Sequence, residues 1–217
     1  MIDFSLIVES LPALLKGAWS SIQITIIAAA IGLSLGIVLG FAEKASSVCV
    51  RACVYSYVTL FRGTPMLMQI LFVYYVLPQF GIMIDPFWAA SIAIGLNSSA
   101  YISQIILTGI NAVPQGQIEA AQVLGLSSFH TMQYIIFPQS IRTSLPALGN
   151  ELVTLVKDSS LASIIGVVEL SKEASLIRSR TYDAFSILLA TSLIYLALTL
   201  AISFFIKREY ACSSLKT

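Results

Sequence analysis

The residues best equipped for chemistry stand where the surrounding sequence is least polar. Lys157 and Asp158 lie side by side in an apolar stretch, residues 145–170, together with Asn150, Glu151, Ser159, Ser160 and Ser163. At the centre of a bilayer each Lys or Asp costs about 2.5 to 3.5 kcal/mol, whereas each Leu or Val returns only about 0.3 to 0.6 kcal/mol. Charges so placed need partners, and they serve either a path for a polar solute or an ion-pair network that packs helices. Successive residues on a helix point about 100° apart, so Lys157 and Asp158 address different groups. Glu151, Thr154 and Asp158 recur on one face, and Lys157 lies off it. A second cluster, Asn97, Ser98, Ser99, Tyr101 and Gln104, sets hydroxyls and amides into another apolar run. In hydrocarbon such groups need internal partners, so their helix should face other helices or a wet cavity.

Other chemistries find little support. The chain has no GxxxxGKS or GxxxxGKT loop, and therefore no backbone cradle for ATP phosphates. It has one histidine, His130, read as a solvated loop residue, and no evident nucleophile-base pair for hydrolysis. Cys49 and Cys53 share a helix face and Cys212 stands apart; the set has no paired metal spacing and reads as packing. No metal site and no cofactor is expected. The net charge of +1 gives no basic tract for nucleic acid.

The elements that must position these residues are membrane helices. With 57% hydrophobic and 11% charged residues, the chain lies far from the roughly 25% charge of a soluble domain. Residues 1–16 mix Phe4, Leu6, Ile7, Leu11, Leu14 and Leu15 with acidic and small residues, and read as a segment along the membrane surface. Asp3 and Glu9 precede the first basic residue, Lys16, unlike the start of a cleaved signal peptide, so the first span is expected to stay attached.

Residues 22–41 carry no charge, and about 20 such residues cross a hydrocarbon core of about 30 Å. Gly32, Gly36 and Gly40 line one face of this first span at the spacing that permits close helix approach. Lys44, Arg51 and Arg62 bracket a mixed segment. A second span is expected over 63–83, with Pro65 in its first turn, Pro78 ending its regular helix, and Tyr74 and Tyr75 toward an interface or the path. A third is expected over 87–113. Residues 145–170 form a poor lone span that the others should enclose, with an irregular turn near Asp158-Ser159-Ser160. The last span, 184–206, holds no charge. With five spans and the N-terminus outside, Lys44, Arg51, Arg62, Arg142, Lys207, Arg208 and Lys216 fall inside, against Lys16, Lys172, Arg178 and Arg180 outside. Seven against four satisfies the positive-inside rule.

That orientation puts the one long polar interruption, residues 111–142, in the cytoplasm. Pro114 can open a helix at Gln115 and Gly125 can close it in a left-handed cap. Ser127 or Ser128 can cap a second short helix through Ile136, and Phe137-Pro138 should turn the chain back toward the membrane. Glu119, Gln122 and His130, with Leu124, Leu126 and Phe129, would then be exposed and suited to a groove on another protein.

Glu119-Ala120-Ala121, then Gly125, Ile135 and Phe137-Pro138, resembles the EAA loop of the membrane subunits of ABC importers; that family usually has leucine where Phe137 stands. Leu11-Pro12-Ala13-Leu14-Leu15-Lys16-Gly17, Phe61-Arg62-Gly63-Thr64-Pro65, Pro138-Gln139-Ser140-Ile141-Arg142 and Lys157-Asp158-Ser159-Ser160-Leu161 extend the likeness to polar amino-acid permeases of the histidine and glutamine type.

The resemblance implies an all-α, polytopic membrane protein of the type I ABC importer fold: one permease domain over residues 1–217, with five transmembrane helices and the coupling loop 111–142 within it. It implies a bacterial inner-membrane location, a homodimer or a paired permease subunit in membrane lipid, and an ATP-binding subunit that hydrolyses ATP, this chain being non-catalytic. An extracytoplasmic binding protein would deliver a polar amino acid, glutamine first, with arginine or histidine close behind. Glu119, Ala120, Ala121 and Gly125 would couple to the ATPase. A zwitterion needs an anionic and a cationic partner near the membrane middle, so Asp158 and Lys157 are candidate contacts, followed by Ser98, Ser99, Tyr101 and Gln69. A structural ion-pair network fits Asp158 and Lys157 equally well. The alternatives from other classes are a secondary carrier, which would need an inverted repeat that the chain lacks, and a membrane scaffold, which would not need charges in a span.

Overall fold

Among the residues that the computed structural model describes, 2–214, the chain is helix throughout, with no strand. Helix α1 runs from Phe4–Ala42 without a break; at 1.5 Å per residue its 39 residues span about 58 Å. Residues 1–16 are therefore not a separate surface segment, because α1 continues directly into the span. Leu14 and Ala18, with Leu6 and Ile7, pack on other helices of the protein, which holds this part of α1 in line. The Asp3 carboxylate caps the helix by accepting from the Leu6 N–H at 3.0 Å.

Helix α4 (Pro86–Asn111) is the most enclosed, and α1 lies along it. The glycine stripe is the contact. A Cβ at Gly36 would lie 2.6 Å from the Ile102 Cβ, and one at Gly40 would lie 2.7 Å from the Ile106 Cβ and 2.8 Å from the Ser103 carbonyl. Only glycine fits a helix contact this close.

The expected span over 63–83 is the second arm of a bent pair of helices. Helix α2 (Val48–Gly63), which the sequence reading passed over, meets the helical run Met66–Phe80 at 105°. That run comprises α3 (Met66–Leu71), a π-helical turn at Phe72–Val76 and a 3-10 turn at Leu77–Phe80 that contains Pro78 and ends at Gly81. The bend follows from Pro65, which disfavours helical geometry at the residue before it: Thr64 is extended (φ −117°, ψ 144°). Pro65 itself stands just outside α3 rather than in its first turn.

Helices α5 (Gln115–Val123) and α6 (Ser128–Thr131) form the loop, and α6 runs through a π-helical turn (Met132–Ile136) into α7 (Phe137–Asp158). Phe137-Pro138 therefore makes no turn. Pro138 sits in the first turn of α7, where its missing N–H costs little. After Asp158 comes the expected irregular piece, a 3-10 segment at Ser159–Ile165 closed by Gly166 at φ 90°. Helix α8 (Leu170–Thr181), also unforeseen, and α9 (Ala184–Ser214) complete the chain.

By length and apolarity, Phe4–Ala42, Pro86–Asn111 and Ala184–Ile206 qualify as spans, and the bent pair makes a fourth if it counts as one. Helix α7, the fifth candidate, is not among them; its charges make it dependent on its neighbours.

Candidate functional site

The bend, α4 and α7 together enclose a polar cleft of about 560 Å³, within the usual range for small-molecule sites. Arg62, Gly63, Thr64, Pro65 and Met66 come from the bend, Asn97 and Tyr101 from α4, and Glu151, Thr154 and Asp158 from α7. The face shared by the last three is the one that helical spacing puts together. Arg62 stacks over the Tyr101 ring, its Cζ 5.3 Å from the centroid, a cation-π arrangement. Behind the wall, the Ser98 hydroxyl donates to Glu151 Oε1 at 2.6 Å.

Of the substrate-path candidates read from sequence, Asp158 and Tyr101 line this cleft. Ser98 is buried behind it on Glu151, and Ser99 is buried against the Tyr57 hydroxyl at 2.7 Å. Gln69 lies outside the cleft and donates to the Phe61 carbonyl at 2.8 Å. Lys157 is exposed on another face of α7 and does not line the cleft. Arg62, Asn97, Glu151 and Thr154 were not among those candidates. The signals were present: Glu151 and Thr154 share a face with Asp158, and Arg62 lies within the Phe61-Arg62-Gly63-Thr64-Pro65 motif.

The second functional feature is the loop. Gly125 closes α5 at φ 77° in a two-bond cap, its own N–H donating to the Gln122 carbonyl and the Leu126 N–H to that of Ala121, both at 3.0 Å. Ser127 caps α6, accepting from the His130 N–H at 3.3 Å. Ala121 is buried, and Ile118 packs into the cluster of Ile110, Val113 and Ile136, so one face of α5 is fixed. A hydrogen bond from Gln139 on α7 to Gln117 holds it further. The opposite face carries Glu119, Ala120 and Gln122 beside exposed Val123, Leu124 and Phe129. Apolar side chains grouped in the open beside a short helix are of the kind that meet a partner protein or a membrane.

The chain is thus a bundle of apolar helices with a cleft lined by polar side chains and a structured loop of short helices. The chain belongs to the family of binding-protein-dependent transport system inner membrane components, whose model matches residues 9–208. It is 39% identical to the arginine transport system permease protein ArtQ of Bacillus subtilis, over 94% of this chain and 93% of that one. It is 36% identical to the glutamine transport system permease protein GlnP of Escherichia coli K12, over 95% of each. A crystal structure of an amino acid ABC transporter with histidines matches at TM-score 0.91 and 36% identity, covering 97% of this chain and 99% of the other. The MetNI methionine ABC transporter in an inward facing form matches at TM-score 0.79 and 18% identity over 93% of this chain and 96% of the other, a likeness of fold. The fold is thus that of a type I ABC importer permease, and the carrier and scaffold alternatives fall away.

Proposed function

We propose that this permease subunit passes a polar amino acid through the cleft between the bend, α4 and α7, and that a cationic amino acid fits it best. One observation carries this reading: the lining holds two carboxylates, Glu151 and Asp158, against one guanidinium, Arg62. A lining with one excess negative charge complements a solute of net charge +1, whose ammonium and side-chain cation each find a carboxylate while Arg62 meets its carboxylate. Glutamine, put first by sequence, brings no such excess. Arginine or protonated histidine does.

In this reading the loop 111–142 is the coupling element of a single permease domain. Glu119 and Ala120 seat it on a separate ATP-hydrolysing subunit in the cytoplasm, while Ala121, buried against this chain, and Gly125, the cap of α5, hold the helix in place for that contact. The subunit acts as a homodimer or with a paired relative, takes its solute from an extracytoplasmic binding protein, and has its N-terminus outside and C-terminus inside. Closure of the ATPase subunits would move α5 as a rigid body, and α4 and α7 with it, since both flank the loop and the cleft. Lys157 belongs to this reading only as a contact outside the cleft.

The test is uptake of labelled amino acids by proteoliposomes holding the whole complex and its binding protein. Arginine or histidine should outcompete glutamine, and Asp158→Asn should lower uptake at least tenfold with the complex intact. Normal kinetics in Asp158→Asn would remove the cleft from the path.

A further inference from the structure

The bend that walls the cleft leaves backbone carbonyls at the end of α2 without partners, because the last turn of a helix has none of its own and Pro65 offers no N–H. One side chain answers most of this need. The Gln69 Nε2 lies 2.8 Å from the Phe61 carbonyl, 3.2 Å from the Thr64 carbonyl and 2.8 Å from the Thr64 hydroxyl, which itself donates to the Leu60 carbonyl at 2.8 Å. The other end of the same carboxamide reaches α4: Gln69 Oε1 accepts from Asn97 Nδ2 at 3.0 Å, and that nitrogen also donates to the Phe61 carbonyl at 3.0 Å. Phe61, Gln69 and Asn97 thus form a closed ring of hydrogen bonds, to which Thr64 is tied through Gln69.

Gln69 does not touch the cleft, yet Arg62 to Met66 and Asn97, which this ring holds, are six of the residues that line it. We infer that Gln69 is a positioning residue for substrate recognition: its carboxamide fixes the bend and thereby places Arg62 and Asn97 in the cleft. The role requires a donor and an acceptor on one planar group of this length, which glutamine has. Glutamate offers acceptors only, and methionine offers neither strong donor nor acceptor. The inference rests on the cleft being the solute site.

The experiment measures equilibrium binding to the purified complex, without binding protein, of whichever of labelled arginine, histidine and glutamine binds most tightly. Gln69→Met, Gln69→Glu, Asn97→Ala, the Gln69→Met/Asn97→Ala double variant and Asp158→Asn are compared with wild type, and basal ATP hydrolysis is assayed beside each. Gln69→Met should raise Kd at least tenfold with basal ATP hydrolysis within twofold of wild type. The near-isosteric Gln69→Glu should raise Kd as much, and it decides the matter if the methionine variant does not assemble. Because Gln69 and Asn97 share a hydrogen bond and the Phe61 carbonyl, the loss in the double variant should be less than the sum of the two single losses. A wild-type Kd in the Gln69 variants, or fully additive losses, would overturn the positioning role while a weakened Asp158→Asn left the cleft reading standing. Wild-type binding by Asp158→Asn, or no binding by wild type, would overturn the cleft reading and this inference with it.

Discussion

The Tyr195 hydroxyl donates to the Glu169 carboxylate at 2.9 Å, and so ties α9 to the start of α8. Glu169 is fully buried and also accepts from the Ser21 hydroxyl of α1 at 3.1 Å and from the backbone N–H groups of Ser171 and Lys172 at 3.0 and 2.8 Å. Four donors satisfy one carboxylate and join three helices, α1, α8 and α9. A hydrogen bond to a charged group contributes about 1.5 to 3 kcal/mol. Tyr195→Phe should therefore lower the thermal unfolding midpoint of the detergent-solubilised subunit, with no loss of ATPase binding at low temperature. An unchanged midpoint would mean that the buried carboxylate does not depend on this bond.

The α1–α4 seam should be intolerant of bulk. At Gly40 a side chain would meet the Ile106 Cβ and the Ser103 carbonyl inside 3 Å. Overpacking of this kind costs about 1 to 3 kcal/mol, so Gly40→Leu should reduce the yield of folded protein in the membrane. Gly63, with nothing within 4 Å of the same virtual atom, serves as the control, and Gly63→Ala should leave yield unchanged.

Gly125 is constrained by its backbone and not by its neighbours, because its φ is 77° and a Cβ there meets open space. A left-handed residue costs about 1 to 2 kcal/mol for most side chains, and less for asparagine. Transport coupled to ATP hydrolysis should survive Gly125→Asn and fail in Gly125→Val. Equal activity in the two variants would show that the cap is not needed for coupling.

At the end of the molecule away from the loop, Ser186 links two helix starts: its hydroxyl accepts from the Asp3 N–H at 2.9 Å, and its N–H donates to Asp183 at 3.0 Å. The Asp3 carboxyl is held below the usual carboxylate range by the Ser5 hydroxyl and then the Leu6 N–H, and Asp183 likewise by the Ser186 hydroxyl and then its N–H. A lowered value means stability that is present above the unfolded pKa of about 3.9 and lost as pH falls through the folded one. The advantage of wild type over Asp183→Asn in unfolding midpoint should be full near pH 6 and shrink below about pH 3.9. A constant difference would assign the effect to shape rather than charge.

The loop over residues 111–142 was the most legible part of the sequence, because Pro114, Gly125 and Ser127 each do what their own chemistry dictates. Helices α4 and α9 were legible as long apolar runs. Helix α2 was harder to read: Val54 and Val58 are buried and Tyr57 and Phe61 half-buried along one stripe, but Val48, Val50, Tyr55 and Leu60 are exposed around it and blur the pattern. Helix α8 was hidden by its polarity and by Glu169, whose burial depends on Ser21 and Tyr195, far away in sequence. For the cleft, spacing on α7 brought Glu151, Thr154 and Asp158 together. It could not show that the bend at Thr64-Pro65 would bring Arg62 to face them, nor that Gln69 would stand behind the wall.

The loop around Glu119 is the proposed docking site of an ATPase subunit on this permease. The most direct measurement is tagged purification from mild detergent, wild type beside Glu119→Lys, with partners identified by mass and ATP hydrolysis assayed in each eluate. An ATPase subunit and ATP hydrolysis should come with wild type, and both should be lost with Glu119→Lys while the permease itself is recovered folded. Recovery of the same ATPase and the same hydrolysis with both chains would contradict this docking site.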